Sequence, residues 1–337
     1  MANNKDLNIA GVAKKDEFYT QLTDIEKEMK YYIEHFRGKT IFCNCDDPEE
    51  SNFWLYFVLN FEKLGLKKLV ATHYETEKPS YKLELVSDIN EDGKINKGDI
   101  IRTPLKQNGD FRSPECKEIM KEADIIITNP PFSLFREYLA QLIKYDKKFI
   151  IIGNINAITY KEVFPLIKNN IIWLGASIHS GDREFRVPDS YPLNATGTRI
   201  DKEGNKYIRV KGVRWITNLD YKERHEQMIL YKKYTKDAYI KYDNYDAINI
   251  DTTADIPVDY YGIMGVPITF IDKYNPEQFE ILGITDRQNT SGLRTKKYKI
   301  EDTSRYNDLN ARSVLLINGE YKAVYARLLI KRKDIQQ

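Results

Sequence analysis

Short apolar runs alternate with amphipathic stretches from Thr40 onward. Thr40-Ile41-Phe42-Cys43 is a continuous apolar run of strand length, and Lys68 to Thr72 is a second. Between them Asn52 to Leu64 has helical spacing, with Gly65 placed to end it. Ser113 to Glu122 predicts another helix, Asp124 to Thr128 a strand, Phe132 to Tyr145 a helix and Lys148 to Ile152 a strand. Alternating helices and β-branched strands without a polar face imply an α/β fold, a mostly parallel sheet covered on both sides. Ligands of such sheets bind beyond the carboxyl ends of the strands. Those positions hold Asn44 to Pro48, Glu75, Asp110-Phe111 and Asn129 to Phe132, a polar, acidic and aromatic set. After Trp173 the chain becomes richer in Tyr, Gly and Pro with short strand-like pieces such as Lys211 to Asn218 and Ile263 to Ile271. A second, largely β region therefore starts between about 180 and 230. We divide the chain into a first domain, 1–225, and a second region, 226–337.

Composition changes this picture little. With 337 residues, 42% hydrophobic and 30% charged, the chain can bury one large core or a core with a smaller appended domain. No run of about 18 apolar residues is present, which argues against a membrane span. The stretch from Met1 to Lys15 is polar and lacks an apolar signal core, which argues against export. Three cysteines, Cys43, Cys45 and Cys116, are too few for a disulfide framework, so a reduced, cytoplasmic setting is expected. The net charge of +2 leaves nucleic acid open as a partner, provided positive charge is sorted onto one face.

The strongest chemical signal is Asn129-Pro130-Pro131-Phe132, placed between a strand and a helix. Adenine's amino group is a poor nucleophile because its lone pair is delocalised into the ring. The Asn129 side-chain oxygen and the Pro130 carbonyl can both accept hydrogen bonds from it, freeing the lone pair for in-line attack on a sulfonium methyl. Consecutive prolines fix φ and cannot donate, so the carbonyls are held outward in a rigid turn. Phe132 offers a face on which an extruded base can stack. Taken alone, the tetrapeptide could be only a stiff turn; its place between strand and helix favours the chemical role.

Thr128-Asn129-Pro130-Pro131-Phe132-Ser133-Leu134-Phe135-Arg136-Glu137-Tyr138 closely resembles the EcoRI-type adenine-specific DNA methyltransferases. The likeness continues through Ile151 to Glu162, Gly212 to Leu219, Lys241 to Asn249 and Gly265 to Phe270, and covers most of the chain from about 15 to 283. It implies a Rossmann-like sheet that binds S-adenosylmethionine, with a C-terminal, largely β target-recognition region. The implied partner is double-stranded DNA, with a cognate restriction endonuclease as companion but no direct protein contact. It implies neither a metal nor a membrane. In amino-methyltransferases of this motif order an N-terminal Phe-Tyr-Thr segment covers the methionine end of the cofactor. Phe18-Tyr19-Thr20 is similar, although a helix-start Thr behind two core aromatics is the competing description.

The loop after the first strand, Cys43-Asn44-Cys45-Asp46-Asp47-Pro48, lacks the glycines of the general methyltransferase pattern but resembles this family's own form. Contacts to the cofactor then fall to the side chains of Asn44 and Asp46, with the choice between Asp46 and Asp47 open. Glu75 stands where an acidic residue holds ribose hydroxyls, or is a solvated surface Glu with Glu77 nearby. Asp110-Phe111 resembles the pair that holds the cofactor's adenine amino group and ring.

Other signals are weaker. Asp88 to Ile95 matches the opening of an EF-hand loop, but its twelfth position is Asp99 rather than Glu, and a β-hairpin turn at Asp92-Gly93 describes it better. Cys43, Cys45 and Cys116 lack both zinc spacing and a preceding Pro, so they are expected to be bystander thiols. Arg183, Arg186, Arg199, Lys202, Lys206, Arg209, Lys211 and Arg214 form one basic stretch. Arg287, Arg294, Lys296, Lys297 and Lys299 form a second, and Lys331-Arg332-Lys333 a third. The 285–300 run is the preferred candidate for DNA contact. The competing functions are a protein or RNA methyltransferase and a non-catalytic DNA-binding protein on a vestigial fold.

Overall fold

The computed structural model describes residues 18–75, 79–189, 191, 193, 197–286 and 292–333. The polar opening stretch 1–15, Glu77 and Arg287 lie outside the described residues. The chain divides into two compact units, one of Met1–Ile155 with Trp173–Tyr221, the other of Asn156–Ile172 with Lys222–Gln337. The first thus regains the chain at Trp173, after the second has taken in Asn156–Ile172.

In the first unit the strands are β1 (Thr40–Cys43), β2 (Lys68–Thr72), β3 (Tyr81–Leu85), β4 (Ile101–Pro104), β5 (Ile125–Thr128) and β6 (Lys148–Asn154). They continue with β7 (Trp173–Leu174), β8 (Asp182–Val187), β9 (Thr198–Ile200), β10 (Lys206–Lys211) and β11 (Val213–Thr217). Eight of them form one sheet in the order β4-β3-β2-β1-β5-β6-β11-β7. Its centre, β2-β1-β5-β6, is parallel, and antiparallel strands close both edges. Every residue of β1 and β5 is buried, as a strand covered on both faces requires. Phe42 and Phe149 are fully buried, each contributing about 2 kcal/mol of apolar transfer free energy. β8, β10 and β9 make a separate three-stranded antiparallel sheet.

Four helices matter for the site: α1 (Leu22–Met29), α2 (Asn52–Leu59), α3 (Pro114–Glu122) and α4 (Phe135–Lys144). α3 starts where its residues dictate: Ser113 Oγ accepts the Cys116 N–H, and Pro114 occupies the first turn. The helix expected over Asn52–Leu64 is broken at Asn60, whose side chain donates to the Tyr56 carbonyl and competes with the helical ladder. Gly65 ends the second piece at φ +62°. The helix expected from Phe132 opens with a tighter turn over Phe132–Leu134, because the Leu134 N–H bonds the Pro131 carbonyl, and only then becomes α-helical.

The expected hairpin turn at Asp92-Gly93 is corrected. β3 and β4 do pair, but their ladder ends well before Gly93. In the connection Asp88, Asp92 and Asp99 accept N–H groups of their own loop, which displaces strand pairing there.

The second unit has a four-stranded sheet in the order β12 (Ile248–Asn249), β13 (Met264–Pro267), β17 (Arg327–Arg332) and β14 (Phe279–Ile284). A hairpin, β15 (Val314–Ile317) with β16 (Glu320–Ala323), turns at Asn318-Gly319, both at positive φ (51° and 80°) as a two-residue turn requires. Its core is aromatic, with Phe270 edge-on to Phe279 and Tyr242 packed where Gly265 leaves no room for a Cβ. No helix among the described residues is long and apolar enough to cross a membrane.

Candidate active site

From β1 the chain crosses to β2 on one side, and β5 later joins β1 on the other. A crevice opens beyond the carboxyl ends of such a strand pair. The residues that follow the two strands are Asn44 and Asn129. Thr128 Oγ1, at the end of β5, donates to the Asn44 carbonyl and so ties the two loops together. Asn129 is 4% exposed; its Nδ2 donates to the Phe18 carbonyl, and its Oδ1 has no partner. Asn44 is 1% exposed; its Oδ1 accepts the Tyr138 hydroxyl, and its Nδ2 has no partner. Thr20 Oγ1 is a third buried atom without a partner. A buried polar atom left this way costs about 1–3 kcal/mol, and these three lie on segments joined by the Thr128–Asn44 and Asn129–Phe18 bonds.

Aromatic rings stand beside these atoms. Phe18 lies 5.5 Å from Phe132, 5.9 Å from Phe185 and 6.0 Å from Tyr191, centroid to centroid. Phe132 is half-buried and edge-on to Phe185 at 6.3 Å. Tyr19 exchanges both backbone hydrogen bonds with Arg186 of β8, which fixes the Phe18-Tyr19-Thr20 segment in place. Pro130 is buried and Pro131 half-buried.

The glycine-free loop after β1 achieves by other means what glycine usually does. Cys45 adopts φ +74°, the left-handed conformation in which glycine is ordinarily found. Asp46 is buried and accepts the Ser51 hydroxyl at 3.1 Å. Asp47 caps the Glu49 N–H at 2.9 Å and faces His73 Nε2 at 3.7 Å.

Glu75 and Asp110 belong to loops brought together across the sheet end. The Glu75 N–H bonds the Asn108 carbonyl at 2.8 Å, and Gly109 approaches so closely that a Cβ would fall 1.8 Å from the His73 carbonyl oxygen. Gly109 (φ +79°) is therefore a required glycine. The Asp110 carboxylate takes a two-pronged bond from Arg112 at 2.8 and 2.6 Å, which holds that guanidinium firmly protonated. Phe111 is buried edge-on to Tyr138 at 5.0 Å, and its carbonyl accepts Gln141 Nε2 at 2.9 Å.

Sequence reasoning missed Arg112, Thr128, Tyr138, Phe185 and Tyr191. Tyr138 was within reach, since Phe135, Tyr138 and Leu142 mark the buried face of α4. Phe185 and Tyr191 arrive from distant strands and carry no local signal.

All three thiols have their pKa raised, foremost by burial, which keeps Cys43, Cys45 and Cys116 in the non-nucleophilic form. Among the described residues no cluster of three or more His, Cys, Asp or Glu side chains is arranged to hold a metal.

Three of the eight basic residues of the first stretch are paired with acids. Arg183, Arg186 and Arg199 face Asp24, Glu50 and Glu184, and Arg214 is buried on the Val213 and His179 carbonyls, which removes it as a DNA contact. Lys202, Arg209 and Lys211 remain exposed. In the second unit Arg332 and Lys333 bond the Val258 and Pro276 carbonyls. Lys296 is held by Asp243 at 2.7 Å, whereas Lys297 and Lys299 are exposed on a cleft of ≈ 690 Å³ that Arg294, Tyr306 and Asn307 also line.

The sequence profile of a family described as adenine-specific methyltransferase EcoRI matches residues 6–333. The type II methyltransferase M.EcoRI of Escherichia coli is 48% identical, over 100% of this chain and 99% of its own. M.MgeORF184P of Mycoplasma genitalium is 37% identical and M.MpnI of Mycoplasma pneumoniae 35%, each over 97% of this chain and 99% and 98% of theirs. With an Asn-Pro-Pro-Phe turn at the switch point of a mixed α/β sheet, and a match over nearly its whole length, this chain belongs to the EcoRI family of adenine-specific methyltransferases.

Proposed function

We propose that the chain is a site-specific DNA methyltransferase that moves a methyl group from S-adenosylmethionine to N6 of an adenine turned out of the duplex. The observation that carries this is the unpartnered, buried Oδ1 of Asn129, an acceptor held in place by the bond from its own Nδ2 to Phe18. The second acceptor is the Pro130 carbonyl, since that of Pro131 is engaged by the Leu134 N–H. Two acceptors on one amino group draw it toward tetrahedral geometry and release its lone pair. Phe132 takes the face of the turned-out base, which offsets part of the few kcal/mol that unstacking requires. The proton leaves to water after transfer, so no general base is needed.

The residues present suit the cofactor: an orphaned donor (Asn44 Nδ2), an orphaned hydroxyl (Thr20) and buried or half-buried carboxylates at three strand ends. S-adenosylmethionine, when bound, supplies an electrophilic sulfonium methyl. Phe18, Tyr19 and Thr20 cover its methionine end, Asn44 and Asp46 hold the same end from the β1 loop, and Glu75 takes the ribose hydroxyls. Asp110 and Phe111 take its adenine; Arg112 orients the carboxylate while leaving it lone pairs to accept with. In this reading the first unit is catalytic and the second recognises the target, with phosphate contact at Lys297 and Lys299. The setting is cytoplasmic.

The test offers labelled S-adenosylmethionine with duplex DNA, RNA and protein as acceptors. Label is expected on N6 of adenine in DNA, and Asn129→Ala is expected to slow its incorporation about a thousandfold. Transfer to RNA or protein instead, or full activity in Asn129→Ala, overturns the proposal.

A further inference from the structure

α4 follows the Asn-Pro-Pro-Phe turn almost directly, so its buried face is rigidly tied to Asn129. Tyr138 and Gln141 lie three residues apart on that face. Gln141 holds the Phe111 carbonyl and the Tyr138 ring meets the Phe111 ring. The Tyr138 hydroxyl reaches the other way, to Asn44 Oδ1. Asn44 is thus gripped twice by the strand-helix segment that carries Asn129: its carbonyl by Thr128, its side chain by Tyr138. A primary amide has two orientations, differing by a half-turn that exchanges oxygen and nitrogen. A fully buried hydroxyl donating to Oδ1 selects one of them and turns Nδ2, the atom without a partner, away from Tyr138.

We propose that Tyr138 is a positioning residue for cofactor binding: its hydroxyl sets the Asn44 amide so that Nδ2 donates to an acceptor on the methionine moiety. The inference rests on the methyltransferase reading above. Burial raises the Tyr138 pKa, so the proton it donates is retained at every working pH. The Cys45 thiol is the hydroxyl's other neighbour, and a thiol is a weak hydrogen-bond partner beside an amide oxygen.

S-adenosylhomocysteine, which keeps the methionine moiety but transfers nothing, is the probe, with binding followed by calorimetry. Tyr138→Phe is expected to raise Kd about tenfold, close to 1.4 kcal/mol. Asn44→Asp keeps the acceptor for Tyr138 but removes the donor, and the folded variant is expected to bind about a hundredfold more weakly. If Tyr138 acts through Asn44, Tyr138→Phe adds less than about twofold in an Asn44→Ala background. A Tyr138→Phe Kd within about twofold of the parent, a full effect in the double variant, or normal binding by Asn44→Asp overturns the positioning role alone. A parent protein that binds no S-adenosylhomocysteine overturns the cofactor reading, and the positioning role with it.

Discussion

Each of the two compact units buries a pair of asparagines, and the pairs behave differently. In the second unit Asn244 and Asn275 are fully buried and fully bonded. Asn244 donates to the Arg312 carbonyl and accepts the Val314 N–H. Asn275 donates to the His225 and Glu226 carbonyls and accepts the Glu277 N–H. In the first unit Asn44 and Asn129 are as deeply buried, yet each has one end of its amide unpartnered. The residue type and burial are the same; only the bonding differs. A satisfied buried amide is a strap that staples loops, whereas a half-satisfied one is unfavourable until something else completes it. Burial therefore does not distinguish the two asparagine pairs, and the unmet hydrogen bond does.

That contrast can be tested by exchanging outcomes. Asn129→Ala is expected to reduce methyl transfer about a thousandfold, in the range for deleting one transition-state hydrogen bond, while changing stability by no more than about 1 kcal/mol. Single-turnover transfer and thermal melting measure the two. Asn244→Ala is expected to do the reverse, destabilising by about 2–3 kcal/mol because the Arg312 carbonyl and Val314 N–H are stranded. Chemical denaturation reads that loss, and the folded fraction should keep its turnover. If Asn244→Ala were silent in stability, the distinction between strap and site would fail.

Smaller effects sharpen the picture. Replacing Lys297 and Lys299 together with Ala is expected to weaken DNA binding a few-fold and to lower the salt slope of log Kd by about 2, with no change in cofactor affinity. Unchanged slopes in a salt titration would move the phosphate contacts elsewhere. The smallest effect concerns Glu28, buried in the first unit and accepting the Tyr32 hydroxyl and the Ala176 and Ser177 N–H groups at 2.8, 2.8 and 2.7 Å. Burial, the dominant influence, raises its carboxyl above the ordinary value near 4.5. Its contribution to stability is complete below that value, where both states are protonated. It is lost as pH rises through the folded value, because the unfolded carboxyl ionises first. Glu28→Gln should therefore melt with a flatter pH dependence as the pH rises above 4.5; an unaltered profile would show that folding does not raise the Glu28 pKa.

Much of the first unit was legible along the chain. The runs at Thr40–Cys43, Lys68–Thr72, Ile125–Thr128 and Lys148–Asn154 are strands because buried parallel strands need apolar residues on both faces. Loops at their carboxyl ends could be named for the same reason. Departures arose where a side chain competed with the backbone: Asn60 broke a helix, and the Asp88–Asp99 carboxylates replaced a tight turn with a self-bonded loop. The stretches at Lys241–Asn249 and Gly265–Phe270 stood out as family-like. They meet in the second unit's core, with the Tyr242 hydroxyl bonding Asn249 and the Gly265 carbonyl.

Residue order alone determined the alternation of strands and helices, the α/β class and the position of the Asn-Pro-Pro-Phe turn, because these follow from local periodicity and from proline's fixed φ. Only the tertiary structure decided which polar atoms are left unmet, that Cys45 takes the glycine-like conformation, and that Arg112 occupies Asp110. It also decided that Arg214 is buried and that Tyr138 holds Asn44. Hydrogen-bond satisfaction is a property of what surrounds an atom in space, and residues 18, 44, 129 and 138 become neighbours only when the sheet brings its strand ends together.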